Sequence, residues 1–271
     1  MSVVAKIITK ERIEVLDVCK SLAKKGHQIV VKNEKPTAKI YTSQRGIREV
    51  EISLEKYGYE IRLTWLASFY DHLLFRDTIQ IVHEMTGGKL FHEYFDGEIS
   101  DINSVLSDEY LRKNVEDEYD TLRILLKDGK QYEIFCPNRT FIIGERISKQ
   151  LLSIKDLKEF IERLQALIRV SQYLDINARN TALFSVENRN GETKTLTLYN
   201  NEEPNRFIVK ADLFALSVSE DQLITIPHDM IENIMPEDWA KVDESQFYAP
   251  IIDEIKWKVL LQNAEKIQVV P

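Results

Sequence analysis

Only two cysteines, Cys19 and Cys136, occur among the 271 residues, and neither has a C-x-x-C partner. That spacing excludes a zinc site built on paired cysteines and leaves two buried free thiols as the expectation. No apolar run approaches the ~20 residues of a membrane-spanning helix. The opening stretch MSVVAKIITKERIEVLDVCK has no apolar core followed by a small-residue cleavage site, so a cytoplasmic protein with no membrane partner is expected. Catalytic signatures are missing too. There is no G-x-S-x-G elbow and no G-x-G-x-x-G turn. Gly87-Gly88-Lys89 follows a helical pattern rather than a strand, which excludes a phosphate loop. His83-Glu84 opens like H-E-x-x-H, but Gly87 stands where the second histidine belongs. No internal repeat, low-complexity tract or Gly/Ser-rich linker is present, and no cofactor is implied.

What is present is an apolar fraction of 44%, sufficient for a core, beside 30% charged residues and a net charge of −8. The charge is unevenly spread. Residues 1–45 carry ten Lys/Arg against four Asp/Glu, and residues 46–126 carry eight against seventeen. Residues 127–170 carry nine against six, and residues 171–271 nine against seventeen. A basic head on an acidic body argues against general nucleic-acid binding, which needs a continuous basic face.

The most legible stretch runs from Gly46 to Ile99. Val50, Ile52 and Leu54 alternate with charged or polar residues, as do Tyr59, Ile61, Leu63 and Trp65, with Tyr57-Gly58 between them. Period two marks an antiparallel hairpin with one buried face. Ser68-Phe69-Tyr70-Asp71 has the form of a capping box, and a helix is expected from Ser68 to a stop at Gly87-Gly88. Its apolar arc holds Tyr70, Leu74, Phe75, Ile79, Ile81, Val82 and Met85, with His72 and His83 on the polar side. Lys89 to Phe95 then returns as a strand beside the hairpin.

Around this unit, residues 1–26 read as a helix ending at Gly26, and short strands are expected at Gln28–Lys32 and Ala38–Thr42, with a turn at Asn33–Pro36. Residues 121–126 and 131–135 read as a hairpin about Asp128-Gly129. A second helix opens at Ser153, with Ile154, Leu157, Phe160, Ile161, Leu164, Leu167, Ile168 and Ser171 on one stripe. Beyond Ala178 the pattern is β-rich, with strands near Leu183–Val186, Thr193–Tyr199, Phe207–Val209 and Leu223–Ile226. A hairpin turn is expected at Asn188–Gly191, and short helices begin at Pro227 and Pro236. Residues 250–269 mix both patterns. The expected fold is α+β: a mixed or antiparallel sheet with helices on one face over residues 1–175, then a smaller β-rich domain over 176–271.

Three of the five histidines, His72, His83 and His92, lie in the central stretch. His72 and His83 are eleven residues apart, ~16 Å along a helix, so they cannot bind one metal ion. His92 and Glu93 are strand neighbours that point to opposite faces. The stronger candidate is the acidic run: Asp96, Glu98, Asp101, Asp108, Glu109, Glu116, Asp117, Glu118 and Asp120, opposed only by Arg112 and Lys113. Tyr94, Phe95, Tyr110 and Tyr119 border it, and tyrosines beside charge are typical interface anchors. The expected partner-binding set is Asp96, Glu98, Asp101, Asp108, Glu109, Tyr110, Glu116, Asp117, Glu118 and Tyr119, docking a basic protein.

Ser43-Gln44-Arg45-Gly46-Ile47, the strand Tyr59-Glu60-Ile61-Arg62-Leu63 and the helix start carrying Asp71 together resemble an uncharacterised bacterial family, a domain of unknown function with an S-x-R-G-[IF] strand. The likeness covers about residues 40–135. It implies an α+β fold in a bacterial cytoplasm and no catalytic residues. The leading functional expectation is a non-enzymatic acidic binding protein, an immunity-like neutraliser of a basic partner. An enzyme using His92, Glu93 or His228 in a cleft between the two domains, and a structural or assembly component, are the alternatives.

Overall fold

In the computed structural model, which describes residues 2–34, 36–187, 191–202, 205–219 and 222–269, the chain begins with a strand rather than the expected helix. Val3, Ala5 and Ile7 are buried while Lys6 and Ile8 are exposed, the period-two pattern of β1 (Ser2–Ile8). Only Val15–Lys24, α1, is helical, burying Val18, Cys19 and Leu22. Then follow β2 (Ile29–Glu34), β3 (Thr37–Thr42), β4 (Val50–Glu55) and β5 (Gly58–Thr64). Next come α2 (Phe69–Thr86), β6 (Lys89–His92) and β7 (Phe95–Ile99). Lys35, in the expected turn at Asn33–Pro36, lies outside the described residues.

These strands form one sheet in the order β2-β3-β4-β5-β1-β6-β7, antiparallel throughout. The hairpin β4–β5 forms as its alternation requires. β6 does not lie beside it, because β1 occupies that edge of β5. Gly58 makes the approach possible. It takes φ +145°, and a Cβ there would lie 1.9 Å from the Ile7 carbonyl oxygen. Val3, Ala5, Ile7, Ile40, Val50, Ile52, Ile61 and Leu90 present one apolar face, on which α1 and α2 pack. The other face carries ion pairs, Lys6–Glu60 and Lys39–Glu51 between neighbouring strands, Arg62–Glu60 along β5, and Lys32–Glu49 from β2 to the residue before β4.

The chain continues through α3 (Ile102–Val105) and α4 (Asp108–Leu125). The expected strand at 121–126 is the last turns of α4, because Tyr119 and Leu122 extend the buried helical stripe begun by Leu111 and Val115. Leu126–Asp128 closes as a short 3-10 turn, so Asp128-Gly129 ends a helix instead of turning a hairpin. After β8 (Tyr132–Ile134) and β9 (Phe141–Ile143) comes a helix the sequence pattern does not announce, α5 (Glu145–Leu152), and the helix expected from Ser153 begins four residues later as α6 (Leu157–Tyr173). Ser153 finishes the first, its hydroxyl donating to the Gln150 carbonyl, and Asp156 caps the second. α4 packs against α2, and α6 against α4.

The chain divides into two compact units: residues 1–141 with 148–174, and residues 142–147 with 175–271. The short segment 142–147 joins the second unit through side-chain acceptors. Asp243 accepts the Ile142 N–H at 2.9 Å, and Glu244 accepts those of Arg146 and Ile147. The second unit contains β10 (Arg179–Asn180), β11 (Ala182–Glu187), β12 (Thr193–Tyr199), β13 (Arg206–Ile208), β14 (Leu213–Ser219) and β15 (Gln222–Pro227). Beyond these lie α7 (Ile231–Ile234), β16 (Ala240–Lys241), β17 (Phe247–Ala249) and α8 (Glu254–Glu265). Its two sheets run β10-β13-β17-β16 and β11-β12-β14-β15, around a core that includes Tyr199, Phe214, Ile226, Trp239, Phe247 and Leu260. Pro236 begins a turn, closed by the Trp239 N–H to its carbonyl, and not a helix. The ambiguous tail is the helix α8, opened by Asp253. Most of the expected turn at Asn188–Gly191 lies outside the described residues. The fold is α+β, and no helix among the described residues is long and apolar enough to cross a membrane.

Candidate functional site: a carboxyl at the floor of an aromatic cleft

α2 begins as its sequence predicts. The Ser68 hydroxyl accepts the Asp71 N–H, and the Asp71 carboxylate accepts the Ser68 N–H at 2.8 Å. The same carboxylate also holds the Ser68 hydroxyl and the Ile47 N–H. Residues 43–47 are therefore tied to the start of α2. Gly46 is required there, since a Cβ would lie 2.6 Å from Asp71 Oδ1. Gln44, in the same loop, takes a left-handed φ of 61°. Asp71 is wholly buried, which pushes its carboxyl up to about 6 against the pull of its donors.

His72 departs from the polar surface expected for it. It is 1% exposed, because α4 covers the side of α2 that the sequence pattern leaves to water. Asp71, His72 and Thr78 are buried, while Tyr70 and Met85, expected in the core, are exposed. Thr78 is satisfied by the Leu74 carbonyl, but the His72 Nε2 has no hydrogen-bond partner. Burial lowers His72 to about 4, so the ring is neutral at pH 7. His83 is half-buried.

Oε1 of Glu118 lies 3.8 Å from the His72 Nε2. Glu118 departs from the exposed docking patch expected for it, since its side chain is only 12% exposed. Its Oε2 accepts the N–H groups of Leu66 at 2.7 Å and Ala67 at 3.2 Å. Leu66 adopts a left-handed φ of 62°, a costly conformation for a bulky residue, and two successive N–H groups converge there on one oxygen. Despite these donors, burial raises the Glu118 carboxyl to about 7, with Asp71 adding to the rise. Tyr119, also expected as a surface anchor, is fully buried, with its hydroxyl 3.5 Å from the Leu66 carbonyl.

Helical spacing on α4 sets Tyr110, Asn114, Asp117, Glu118 and Thr121 along one side of a cleft of about 290 Å³. The opposing walls are Ser2 and Val3 from β1, Trp65 after β5, and Tyr94 in the β6–β7 turn. Of the residues expected to bind a partner, Tyr110, Asp117 and Glu118 meet here. Asp96, Glu109 and Glu116 are exposed elsewhere on the surface. Three more are engaged within the chain. Glu98 pairs with Lys89 at 3.0 Å, Asp108 with Arg76 at 2.7 Å, and Asp101 caps α3.

His92, Glu93 and His228, the residues of the enzyme alternative, each make local contacts, but the Nε2 of His92 is buried without a hydrogen-bond partner. His92 is buried among Phe75, Tyr94 and Phe95, its Nδ1 accepting the Tyr94 N–H. Glu93 points the other way and accepts the Val4 N–H. His228, in the second unit, is hydrogen-bonded through Nε2 to the Val209 carbonyl at 3.0 Å. Cys19 and Cys136 are free thiols, the second only half-buried. Among the described residues no three His, Cys, Asp or Glu side chains are placed to hold a metal ion. The roles of His72, Leu66 and Ala67 had no sequence signal; the α4 stripe did, in the spacing of Tyr110, Asn114, Asp117 and Thr121. No family model, curated protein or solved structure matches the chain.

Proposed function

We propose that this chain is a non-enzymatic binding protein that engages a basic protein partner through the acidic side of α4 and the cleft beside it. The observation that carries the reading is the composition of that cleft, with Asp117 and Glu118 set among Trp65, Tyr94 and Tyr110. Among the described residues no lysine or arginine pairs with Asp96, Glu109, Glu116 or Asp117. Uncompensated acid steers a basic partner at long range, and aromatic side chains supply contact area once it arrives. Neutralising a basic protein in a bacterial cytoplasm, as immunity proteins do, is the form of this activity we favour.

The test is retention of proteins from native cell lysate on the immobilised chain at low and high salt. A basic protein held at low salt and lost at high salt is expected, and Glu116→Lys with Asp117→Lys abolishes its capture. Retention of nothing at either salt, or capture indifferent to both charge reversals, removes the reading.

A further inference from the structure

We propose that the floor of this cleft is a subsite for a single alkylammonium group, a lysine side chain of the partner, with Glu118 as its charge partner and Trp65, Tyr94 and Tyr110 around its methylene stem. The inference rests on the reading that the partner is basic and adds which basic group the cleft takes.

The choice of ammonium over guanidinium follows from how Glu118 is held. Its Oε2 is already engaged by the Leu66 and Ala67 N–H groups. That leaves Oε1 as the one oxygen with unused acceptor capacity. A guanidinium is best recognised by both oxygens at once, in a fork, whereas an ammonium is a point charge satisfied by one. A cleft of about 290 Å³ holds one such side chain, and its three aromatic walls suit both the methylenes and the cation.

The second observation is the unpartnered Nε2 of His72, behind the floor and 3.8 Å from Oε1. At that separation no hydrogen bond exists. A protonated Glu118 has a donor to offer, and a closure of about 1 Å delivers it to Nε2. Glu118 thus has two alternative states. The neutral acid is satisfied by His72 on the inside, and the carboxylate is satisfied by a cation from the cleft. With the carboxyl poised near 7, ammonium binding expels its proton to solvent. The groups facing Glu118 are Asp71 and His72 on α2, Arg48 after β3, Tyr94 in the β6–β7 turn, and Tyr110, Asp117 and Tyr119 on its own helix. Of these, His72 is the acceptor within reach of Oε1, which makes it a positioning residue.

The experiment is an NMR titration of the full chain with n-butylammonium chloride, read at the Trp65 indole N–H and repeated with methylguanidinium and tetramethylammonium. Saturable binding of n-butylammonium is expected, with weaker binding of the other two. Affinity is expected to be about tenfold lower at pH 6 than at pH 8, since the carboxylate fraction falls by that factor across a midpoint near 7. Glu118→Gln abolishes binding and its pH dependence, and His72→Phe lowers the pH midpoint while sparing affinity at pH 8. Tyr94→Ala, at an exposed turn, weakens binding several-fold at both pH values and serves as the deciding variant if Glu118→Gln does not fold. Preference for methylguanidinium, pH-independent binding, or full binding by Glu118→Gln or Tyr94→Ala overturns the subsite. Capture of a basic protein that survives Glu118→Gln sinks the subsite alone. Amine binding in a chain that retains no basic protein sinks the broader reading alone.

Discussion

Glu118 concentrates the opposing forces in this molecule. Its carboxyl gains two backbone hydrogen bonds and loses most of its hydration, and burial outweighs the bonds. A folded-state value near 7 against 4.5 means the folded chain binds the extra proton between those values. Ionising Glu118 therefore costs stability as pH rises through that window, by up to about 3 kcal/mol at 1.36 kcal/mol per unit. Asp71, raised to about 6, acts in the same direction, while His72, lowered to about 4, opposes both by favouring the unfolded chain as pH falls below 6.5. Urea denaturation of wild type and Glu118→Gln at pH 5 and pH 8 isolates the Glu118 share. The variant's stability relative to wild type is expected to be greater at pH 8 than at pH 5, and an equal difference at both contradicts the assignment. Gly46 carries a second prediction. Gly46→Ala drives a Cβ against Oδ1 of an Asp71 carboxylate whose two oxygens together hold three donors, and a loss of about 1–3 kcal/mol is expected in the same assay.

Among the elements, α2 and α4 show how partial a helical pattern is as a guide to environment. The Ser68–Asp71 box fixed where α2 starts, and Ser68→Ala is expected to cost about 1 kcal/mol, measured by thermal unfolding. Nothing in α2 announced that a second helix would bury its histidine, because that depends on where residues forty positions later pack. Along α4 the acidic residues read as an exposed docking patch. Tyr119 and Leu122 instead carry its inner stripe, and the floor of the cleft lies between the two faces. Tyr119→Ala is expected to destabilise the chain by about 3–5 kcal/mol, far more than a surface tyrosine would. A change under 1 kcal/mol in the urea midpoint assay is incompatible with its burial.

At the scale of the molecule, the net charge of −8 predicts association kinetics more than affinity. Once a basic partner is in hand, its association rate is expected to fall steeply with added salt while dissociation changes little, as stopped-flow mixing can read. The division into two units carries a separate expectation. A chain ending at Leu174 keeps residues 142–147 but lacks Asp243 and Glu244, the acceptors of their N–H groups. Hydrogen exchange of that truncated chain is expected to show lost protection at Ile142, Arg146 and Ile147 with β1–β7 still protected. Uniform protection contradicts the role of those two carboxylates.

Local chemistry wrote the hairpin β4–β5, the start and stop of α2 and the α+β class directly into the sequence, since alternation, capping and a left-handed Gly87 act over a few residues. Two segments are not decided by their local pattern. β1 was hidden because Val, Ile and Ala at positions 2–8 satisfy both periodicities, and only pairing with β5 and β6 settles which applies. Residues 121–126, apolar enough for a strand, were decided by the helix already running into them. The candidate site required tertiary structure outright. Burial of His72, convergence of the Leu66 and Ala67 N–H groups on Glu118, and its perturbed carboxyl all arise from contacts across more than forty residues. Desolvation is a property of what surrounds a group, and the sequence names the group without its surroundings.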